Sequence, residues 1–293
     1  MRKDDHAAII DDFWEYDFPD GAILPYTHGA ARIQQQWEAE GRAPLIAPSP
    51  AQQTAVEQLK RDMGIPAGAW FVCMHVREAG FHAKWNKLYP TARDARISDY
   101  HEAIAEITRR GGWVIRMGDE TMVRLKPMPQ VIDYAHSRFK SELGDIVLPA
   151  VCRFFIGTNS GFATIPGIYG TPNVLTNWVP MALPLWFGKD IVVPKMFWNK
   201  ETAQWVDFKD ILSSPLGATQ NSSDFPPNIE IRENTPAEIC EAVIEMIHRL
   251  DGELEPDAEC DALQERFFAL AERCGSYRGS RFGRDFLRRH RAL

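Results

Sequence analysis

The stretch Phe71-Val72-Cys73-Met74-His75-Val76-Arg77-Glu78 decides the fold, because it is an apolar run that ends abruptly in polar side chains. An uninterrupted apolar run between Gly68 and a charged segment is typical of a strand buried on both faces, as in parallel sheets flanked by helices. Such sheets bind ligands beyond the carboxyl ends of their strands. His75 and Arg77 lie on the same side of an extended strand, so both can reach one ligand.

The side chain of Arg77 suits a phosphate ligand. A guanidinium presents its donors in a planar fork that matches phosphate oxygens better than a point charge does. In the alternative interpretation, Arg77 pairs with a nearby carboxylate and His75 is a core histidine with satisfied hydrogen bonds. The octapeptide alone does not decide between the two.

The composition is that of a folded globular protein, with 45% apolar and 25% charged residues. The balance of 33 basic against 40 acidic residues gives a net charge of −7, which disfavours a general nucleic-acid binder. The 5 cysteines include no C-x-x-C pair, so neither a disulfide framework nor a zinc site is predicted. No apolar run approaches the length of a membrane span. We therefore expect a cytoplasmic location.

The sequence predicts three consecutive parts. Residues 1–60 are interpreted as an irregular arm or the remnant of a preceding domain, because their periodicity is poor; only residues 51–63 have helical spacing. Residues 61–250 are predicted to form a Rossmann-like α/β domain, because apolar strands alternate with helical patterns. Residues 251–293 are predicted to be a C-terminal helical segment.

A second motif, Gly157-Thr158-Asn159-Ser160-Gly161, turns a predicted strand into a predicted apolar helix that ends near Gly170. The unpaired N–H groups of a helix N-terminus, with hydroxyls beside them, favour an anion such as phosphate. In the alternative interpretation the segment is a plain turn with Ser160 as an N-cap. The motif matches neither G-x-G-x-x-G nor the P-loop.

Three polar clusters are predicted to meet at one edge of the sheet. Arg77 follows one strand, Asp119 follows the next, and the turn 158–161 follows a later one. A nucleoside diphosphate would place its phosphates between Arg77 and the turn, while Asp145 could accept a hydrogen bond from the base or the ribose. This arrangement suits an enzyme that uses a nucleotide sugar.

These residues resemble the donor-binding half of the fucosyltransferases that carry an H-x-R-R-x-D motif. The resemblance rests on His75-Val76-Arg77, on the strand 113–119, and on the segment from Asp145 to Gly161. It is closer still to a group of bacterial glycosyltransferases with the stretch V-C-x-H-V-R-E, and covers roughly residues 60 to 180. Those fucosyltransferases have the GT-B fold, in which a cleft separates two Rossmann-like domains, and they invert the anomeric centre without a bound metal.

The resemblance implies a role for each matching residue. Arg77 would hold the diphosphate of the donor, and His75 and Asp145 would contact the nucleoside. Asp119 stands where the family has an acid after its second strand. The residues that would line the phosphates are Thr158, Asn159, Ser160 and Gly161.

The chain departs from the family motif at two positions. Glu78 stands where the second arginine is expected, and Gly80 stands where the aspartate is expected. GDP-fucose is therefore not singled out among nucleotide sugars. The acceptor-side domain of a GT-B enzyme would be reduced to residues 1–60.

The predicted function is an inverting, metal-independent glycosyltransferase that transfers a sugar from a nucleotide-sugar donor to a glycan or other acceptor. Arg77 would stabilise the leaving diphosphate, and Glu78 or Asp94 would take the acceptor proton, with His82 as a further option. The chain contains no D-x-D pair, and no cofactor or metal is expected. Two alternatives stay open: a non-catalytic nucleotide-sugar-binding module that needs a partner domain, and an assembly protein that uses the aromatic region 178–198 as an interface.

The arginine-rich stretch 277–293 bears on partners and location. It could contact the inner membrane, where lipid-linked acceptors reside, or its arginines could pair with the acidic body of the protein. We favour the second interpretation because the apolar stripe of this stretch is thin. The expected partners are a nucleotide sugar and a glycan or lipid-linked acceptor, but no nucleic acid; homo-oligomers stay open.

Overall fold

The computed structural model describes residues 15–82 and 91–292, with only the backbone of residues 81 and 82. His82 as a candidate base therefore lies outside the described side chains. The strands are β1 (Glu15–Asp17), β2 (Ile23–Pro25), β3 (Phe71–His75), β4 (Trp113–Arg116), β5 (Val131–Ile132), β6 (Phe155–Gly157), β7 (Asn173–Trp178), β8 (Ile191–Pro194), β9 (Met196–Asn199), β10 (Gln204–Trp205), β11 (Ile229–Arg232) and β12 (Arg281–Phe282).

Seven of these strands form one parallel sheet in the order β12-β8-β7-β6-β3-β4-β5. The strands β3, β4 and β5 follow one another toward one edge of the sheet. The chain then returns to the other side of β3, where β6, β7 and β8 follow one another toward the opposite edge. The switch point of this Rossmann-like order therefore lies between β3 and β6, where such sheets bind ligands. The predicted α/β class and parallel Rossmann-like sheet are confirmed.

The central strands could be predicted from the sequence because they are buried. Every residue of β3, β6, β7 and β8 is buried. A strand covered on both faces needs apolar side chains at successive positions, which gives the continuous apolar runs of the sequence. A smaller antiparallel sheet, in the order β10-β9-β11, follows β8 directly.

Nine α-helices are present in the part of the chain that the structure describes, and those of the α/β unit flank the sheet. The helix α3 packs against α7, and α2 packs against α4. The helices are α1 (Tyr26–Ala39), α2 (Pro50–Asp62), α3 (His101–Arg109), α4 (Glu142–Val151), α5 (Thr164–Ile168), α6 (Phe208–Leu212), α7 (Pro236–Asp251), α8 (Ala258–Arg273) and α9 (Arg284–Arg289).

The N-terminal region is more regular than the sequence predicted. Residues 15–25 form the hairpin β1–β2, and the 14-residue helix α1 follows it. The irregular arm expected here is therefore wrong for residues 15–39. The buried positions of α1 are the small residues Thr27, Gly29 and Ala31, so the helix shows no stripe of large apolar side chains. The predicted helix 51–63 is confirmed as α2, with a capping box between Ser49 and Gln52.

The C-terminal segment adds to the sheet as well as to the helices. Between α8 and α9 the chain forms β12, which pairs in parallel with β8 at the sheet edge. The arginines of this segment pair with carboxylates of α7, α8 and α9, as the favoured interpretation expected. The pairs are Arg278 with Glu265 and Glu272, Arg281 with Asp261, Arg288 with Asp257 and Asp285, and Arg289 with Glu238 and Glu241.

A search of the described helices for one that could cross a bilayer finds none with the required length and apolar character. Contact with a membrane surface stays a prediction.

A buried acid lies at the amino edge of the sheet, opposite the switch point. Asp190 is fully buried and accepts hydrogen bonds from the main-chain and side-chain nitrogens of Asn173, each at 2.8 Å. Burial raises the pKa of Asp190 to about 8, although these hydrogen bonds oppose the rise. The buried Oδ1 of Asn173 lacks a partner among the described residues, and half a turn of the amide would let a protonated Asp190 donate to it.

We expect Asp190 to make the folded protein less stable as pH rises. Between roughly pH 4 and pH 8 the folded state keeps the proton that the unfolded state has lost, so this group lowers the free energy of unfolding by up to about 1.4 kcal/mol per pH unit. Urea unfolding at several pH values should show a flatter pH dependence for Asp190→Asn. The exposed control Asp210→Asn should keep the slope of the wild type, and equal slopes for all three proteins would contradict the expectation.

The two glycines that flank the turn 158–160 should respond differently to alanine. A β-carbon at Gly157 would lie 2.5 Å from Cε1 of the buried Phe155 and 3.4 Å from the carbonyl oxygen of His75, whereas one at Gly161 meets nothing within 4 Å. Overpacking of this kind costs about 1–3 kcal/mol. Thermal unfolding should show Gly157→Ala destabilised by that amount and Gly161→Ala within about 0.5 kcal/mol of the wild type. Similar losses in both would show that the turn, not the crowding, sets the cost.

Candidate functional site

The two predicted motifs meet at the switch point of the sheet. The main-chain N–H of Arg77 donates to Oγ1 of Thr158 at 2.9 Å, and the N–H of Thr158 donates to the carbonyl oxygen of His75 at 3.3 Å. Thr158 is fully buried between the two strand ends. Its hydroxyl therefore fixes the backbone of Arg77 relative to the turn.

His75 is a buried, neutral histidine in this arrangement. Its Nδ1 lies 3.3 Å from Oγ of Ser160, and its ring stacks on Phe162 with centroids 5.0 Å apart. Burial lowers the pKa of His75 to about 4, and the positive charges of Arg116 and Arg77 act in the same direction while Asp119 opposes them. A neutral imidazole offers one donor and one acceptor to a neighbouring group.

The turn after β6 leads into a shorter helix than the sequence predicted. Gly161–Ala163 form a 3₁₀ turn, and α5 has only five residues and ends at Ile168. A helix of one turn adds little dipole, so the electrostatic part of the predicted anion site is weaker than expected. The main-chain amides of Asn159 and Ser160 donate to no acceptor among the described residues.

The side chain of Arg77 is held by a carboxylate. Its Nε donates to Oδ1 of Asp94 at 2.9 Å, and the Arg77 side chain is only 9% exposed. Nζ of the buried Lys195 donates to the main-chain oxygen of Asp94 at 2.7 Å. The pairing of Arg77 with a carboxylate, left open by the sequence, is thus the arrangement observed, and it joins two of the predicted site residues.

Glu78, the other candidate base, is part of a buried ion-pair network. Its Oε2 lies 2.6 Å from Nη2 of Arg116 and accepts from the N–H of Val123, and Nη1 of Arg116 lies 3.0 Å from Oδ1 of Asp133. Arg116 is fully buried. Burial raises the pKa of Glu78, and the charge of Arg116 opposes that rise. Glu78 therefore acts as an ion-pair partner that holds Arg116 between neighbouring strand ends.

Gly80 has no room for a side chain such as the aspartate that the fucosyltransferase motif would place at this position. A β-carbon there would lie 2.2 Å from the main-chain oxygen of Thr121. The backbone of the loop after β3 therefore packs directly on the loop after β4. Both departures from the family motif, at Glu78 and at Gly80, are accommodated by specific packing.

Asp119 lines a cavity of about 410 Å³ at the carboxyl ends of β4 and β5. Its Oδ1 accepts from the N–H of Thr121 at 2.8 Å. Asp145 lies in the first turn of α4 and pairs at 2.8 Å with Lys140, a residue of the cavity wall. The remaining wall residues are Glu120, Arg124, Ala135, His136 and Ser137.

The structure thus separates the predicted site into two neighbouring parts. His75, Arg77, Asp94 and the turn 158–161 surround the β3–β6 switch point, whereas Asp119 and Asp145 belong to the β4–β5 side. The strand β3 pairs in parallel with both β4 and β6, so the two parts lie side by side on the same edge. The side-chain amide of Asn159 donates to the carbonyl oxygen of Val179.

Sequence reasoning missed three polar residues that support the site. Arg116 is a charge inside the apolar strand β4, and Lys195 ends the apolar run of β8, so each interrupts a buried pattern. Such an interruption signals a buried ion pair or hydrogen bond. His136, whose Nδ1 lies 2.9 Å from Oδ2 of Asp133, carries no comparable signal because it ends a short 3₁₀ helix after β5 and interrupts no apolar run.

A second cavity, of about 600 Å³, lies at the amino ends of β7 and β8. Trp37, Leu45 and Phe187 contribute to its largely apolar wall. It faces away from the carboxyl edge and does not belong to the site at the switch point. Across residues 15–82 and 91–292, no group of three or more His, Cys, Asp or Glu side chains is placed to hold a metal ion.

Comparison of the chain with protein-family models, with curated proteins and with solved structures finds no match in any of the three.

Removal of the Glu78 carboxylate should lower the stability of the folded protein. Glu78→Ala leaves the buried guanidinium of Arg116 with one carboxylate fewer, and breaking a buried pair costs about 3–5 kcal/mol. Chemical denaturation should show this loss. The matched control Glu230→Ala breaks the exposed pair with Arg232 and should cost less than about 1 kcal/mol. A stable Glu78→Ala protein without activity would instead assign Glu78 to the chemistry.

Proposed function

We propose that this protein is a glycosyltransferase that transfers a sugar from a nucleotide-sugar donor to a glycan or other acceptor. The proposed reaction inverts the anomeric centre and needs no metal. The described sheet would form the donor-binding half of a GT-B enzyme, with the diphosphate at the β3–β6 switch point.

The observation that carries the proposal is the meeting of Arg77 with the turn 158–161. The main chain of Arg77 is hydrogen-bonded to Thr158, and the adjacent amides of Asn159 and Ser160 have no acceptor among the described residues. A guanidinium and two main-chain donors at one strand edge match the charge and the oxygen geometry of a diphosphate. The switch point is also where sheets of this order bind nucleotides.

The neighbouring side chains fit the remaining parts of a nucleotide sugar. The cavity of about 410 Å³ beside Asp119 has a size suited to a small polar group and has both carboxylate and cationic walls. A nucleoside placed there would leave its phosphates toward His75 and Arg77. Neutral His75 can donate to an oxygen of the ligand without adding charge.

The chemistry requires positive charge at the leaving diphosphate and a base for the acceptor hydroxyl. Arg77 supplies the first, and Lys195 adds a second positive charge on the far side of Asp94. Both candidate bases are ion-paired, Asp94 with Arg77 and Glu78 with Arg116, but Asp94 fits better because its side chain is 23% exposed whereas that of Glu78 is 9% exposed. A base must reach the acceptor, so exposure favours Asp94.

A non-catalytic binding module is the second candidate. The described residues contain one parallel sheet, and residues 15–62 form a hairpin and two helices rather than a second Rossmann-like domain. A partner domain would then supply the acceptor site. Donor hydrolysis by the purified protein would favour the enzyme, and binding without turnover that a partner restores would favour the module.

A thermal-shift screen against GDP, UDP, dTDP and CMP tests the proposal. One nucleotide at 100 times its dissociation constant should stabilise the protein by about 2.7 kcal/mol, which corresponds to a rise of several degrees in the melting temperature. Arg77→Ala and Arg77→Lys should both lose most of that rise, measured against their own ligand-free melting temperatures, because neither retains the guanidinium fork.

The control for this screen is Arg109→Ala, which removes an exposed arginine of α3 far from the switch point in sequence. It should keep the nucleotide-induced rise of the wild type. If no nucleotide shifts the wild type, or if the Arg77 variants respond as the wild type does, the diphosphate site is not at the switch point.

A further inference from the structure

Arg93 is a half-buried arginine that lacks a carboxylate partner within the described residues. Its Nε donates to the hydroxyl of Thr91 at 3.1 Å, a neutral acceptor. A guanidinium that is partly withdrawn from water with no ion pair among the described residues is costly, so its position calls for a functional reason.

The backbone places Arg93 beside Arg77. The N–H of Ala95 donates to the carbonyl oxygen of Arg77 at 2.9 Å, and the residue between Arg93 and Ala95 is Asp94, whose carboxylate holds Nε of Arg77. Burial lowers the pKa of Arg93, and the positive charge of Arg77 lowers it further while Asp94 opposes both. The charges of Arg77 and Asp94 thus both act on Arg93, although only Arg77 forms an ion pair with Asp94.

The described segment 91–95, which carries Arg93, is held by contacts on both sides of that residue. Thr91 pairs with Asn221 in an isolated bridge, and the N–H of Ala92 donates to the carbonyl oxygen of Gln220 at 2.8 Å. Lys195 holds the main chain of Asp94 from the opposite side. The guanidinium is therefore presented by an anchored backbone, which lowers the entropic cost of using it for binding.

The charges around Asp94 leave an excess of positive charge. Arg77 pairs with the carboxylate of Asp94, Arg93 precedes Asp94 in the chain, and Lys195 donates to the main-chain oxygen of Asp94. Glu233 lies 3.8 Å from Lys195 but also pairs with Arg96 at 3.4 Å. An anionic ligand would relieve the repulsion that the free protein bears. A diphosphate carries more than one negative charge and can bridge two guanidinium groups.

We infer that Arg93 is a second phosphate-binding arginine, which contacts the diphosphate together with Arg77. This inference rests on the proposed function and deepens it, since it assigns the ligand class to a pair of arginines rather than to Arg77 alone. It also gives a reason for the repulsion between Arg77 and Arg93: two neighbouring cations lower the stability of the free protein but favour the binding of an anion.

Inorganic pyrophosphate is the probe that tests this inference, because it lacks the nucleoside. Isothermal calorimetry should show that Arg93→Gln weakens pyrophosphate binding about tenfold to a hundredfold, as expected for the loss of a charge-assisted contact. The matched control Arg96→Gln lies three residues further along and is exposed and paired with Asp99. It should change the affinity less than about twofold.

The melting temperature of the free protein separates binding from a structural role. Arg93→Gln removes an unpaired charge beside Arg77, so the ligand-free protein should melt at the same temperature or higher. A fall of several degrees would show that Arg93 supports the fold and would overturn the inference.

The remaining outcomes separate this inference from the proposed function. If Arg77→Gln abolishes pyrophosphate binding while Arg93→Gln leaves it unchanged, the diphosphate site stands and the role of Arg93 is refuted. If the wild type binds neither pyrophosphate nor any of the four nucleotides, both fall together.

Discussion

The site depends on one hydrogen bond, from the main-chain N–H of Arg77 to the buried hydroxyl of Thr158. It ties the end of β3 to the end of β6, the two neighbouring strands from which the chain departs in opposite directions. A threonine can do this because its Oγ1 accepts where the parallel ladder has ended and no carbonyl is available. The ion pair with Asp94 then orients the guanidinium, and the loop that carries Asp94 also carries Arg93.

Electrostatics distinguish the two halves of the carboxyl edge. On the β4–β5 side, buried Arg116 is matched by Glu78 and Asp133, so its charge is satisfied within the protein. On the β8 side, positive side chains gather at Asp94 with fewer acids to balance them. The excess of positive charge at the second cluster is the electrostatic basis of the proposed anion site.

The sequence predicted the parts of the fold whose signals are local. β3 and β6 are continuous apolar runs, and α2 and α7 have their capping residues next to an apolar periodicity, so these elements were visible without a structure. Helix α1 was missed because small residues form its buried face. The pairing of Glu78 with Arg116, and the neighbourhood of Arg77 and Arg93, join separate strands and loops, and no spacing rule reveals such contacts.

Through the strand β12, the C-terminal segment covers one edge of the parallel sheet. With only Arg281 and Phe282 it covers the outer backbone of β8, the apolar strand Ile191–Pro194. Without this cover β8 would present unpaired N–H and C=O groups to other chains, a template for intermolecular association. Because three helices and an antiparallel sheet separate β12 from β8 along the chain, β8 is synthesised well before the strand that covers its edge.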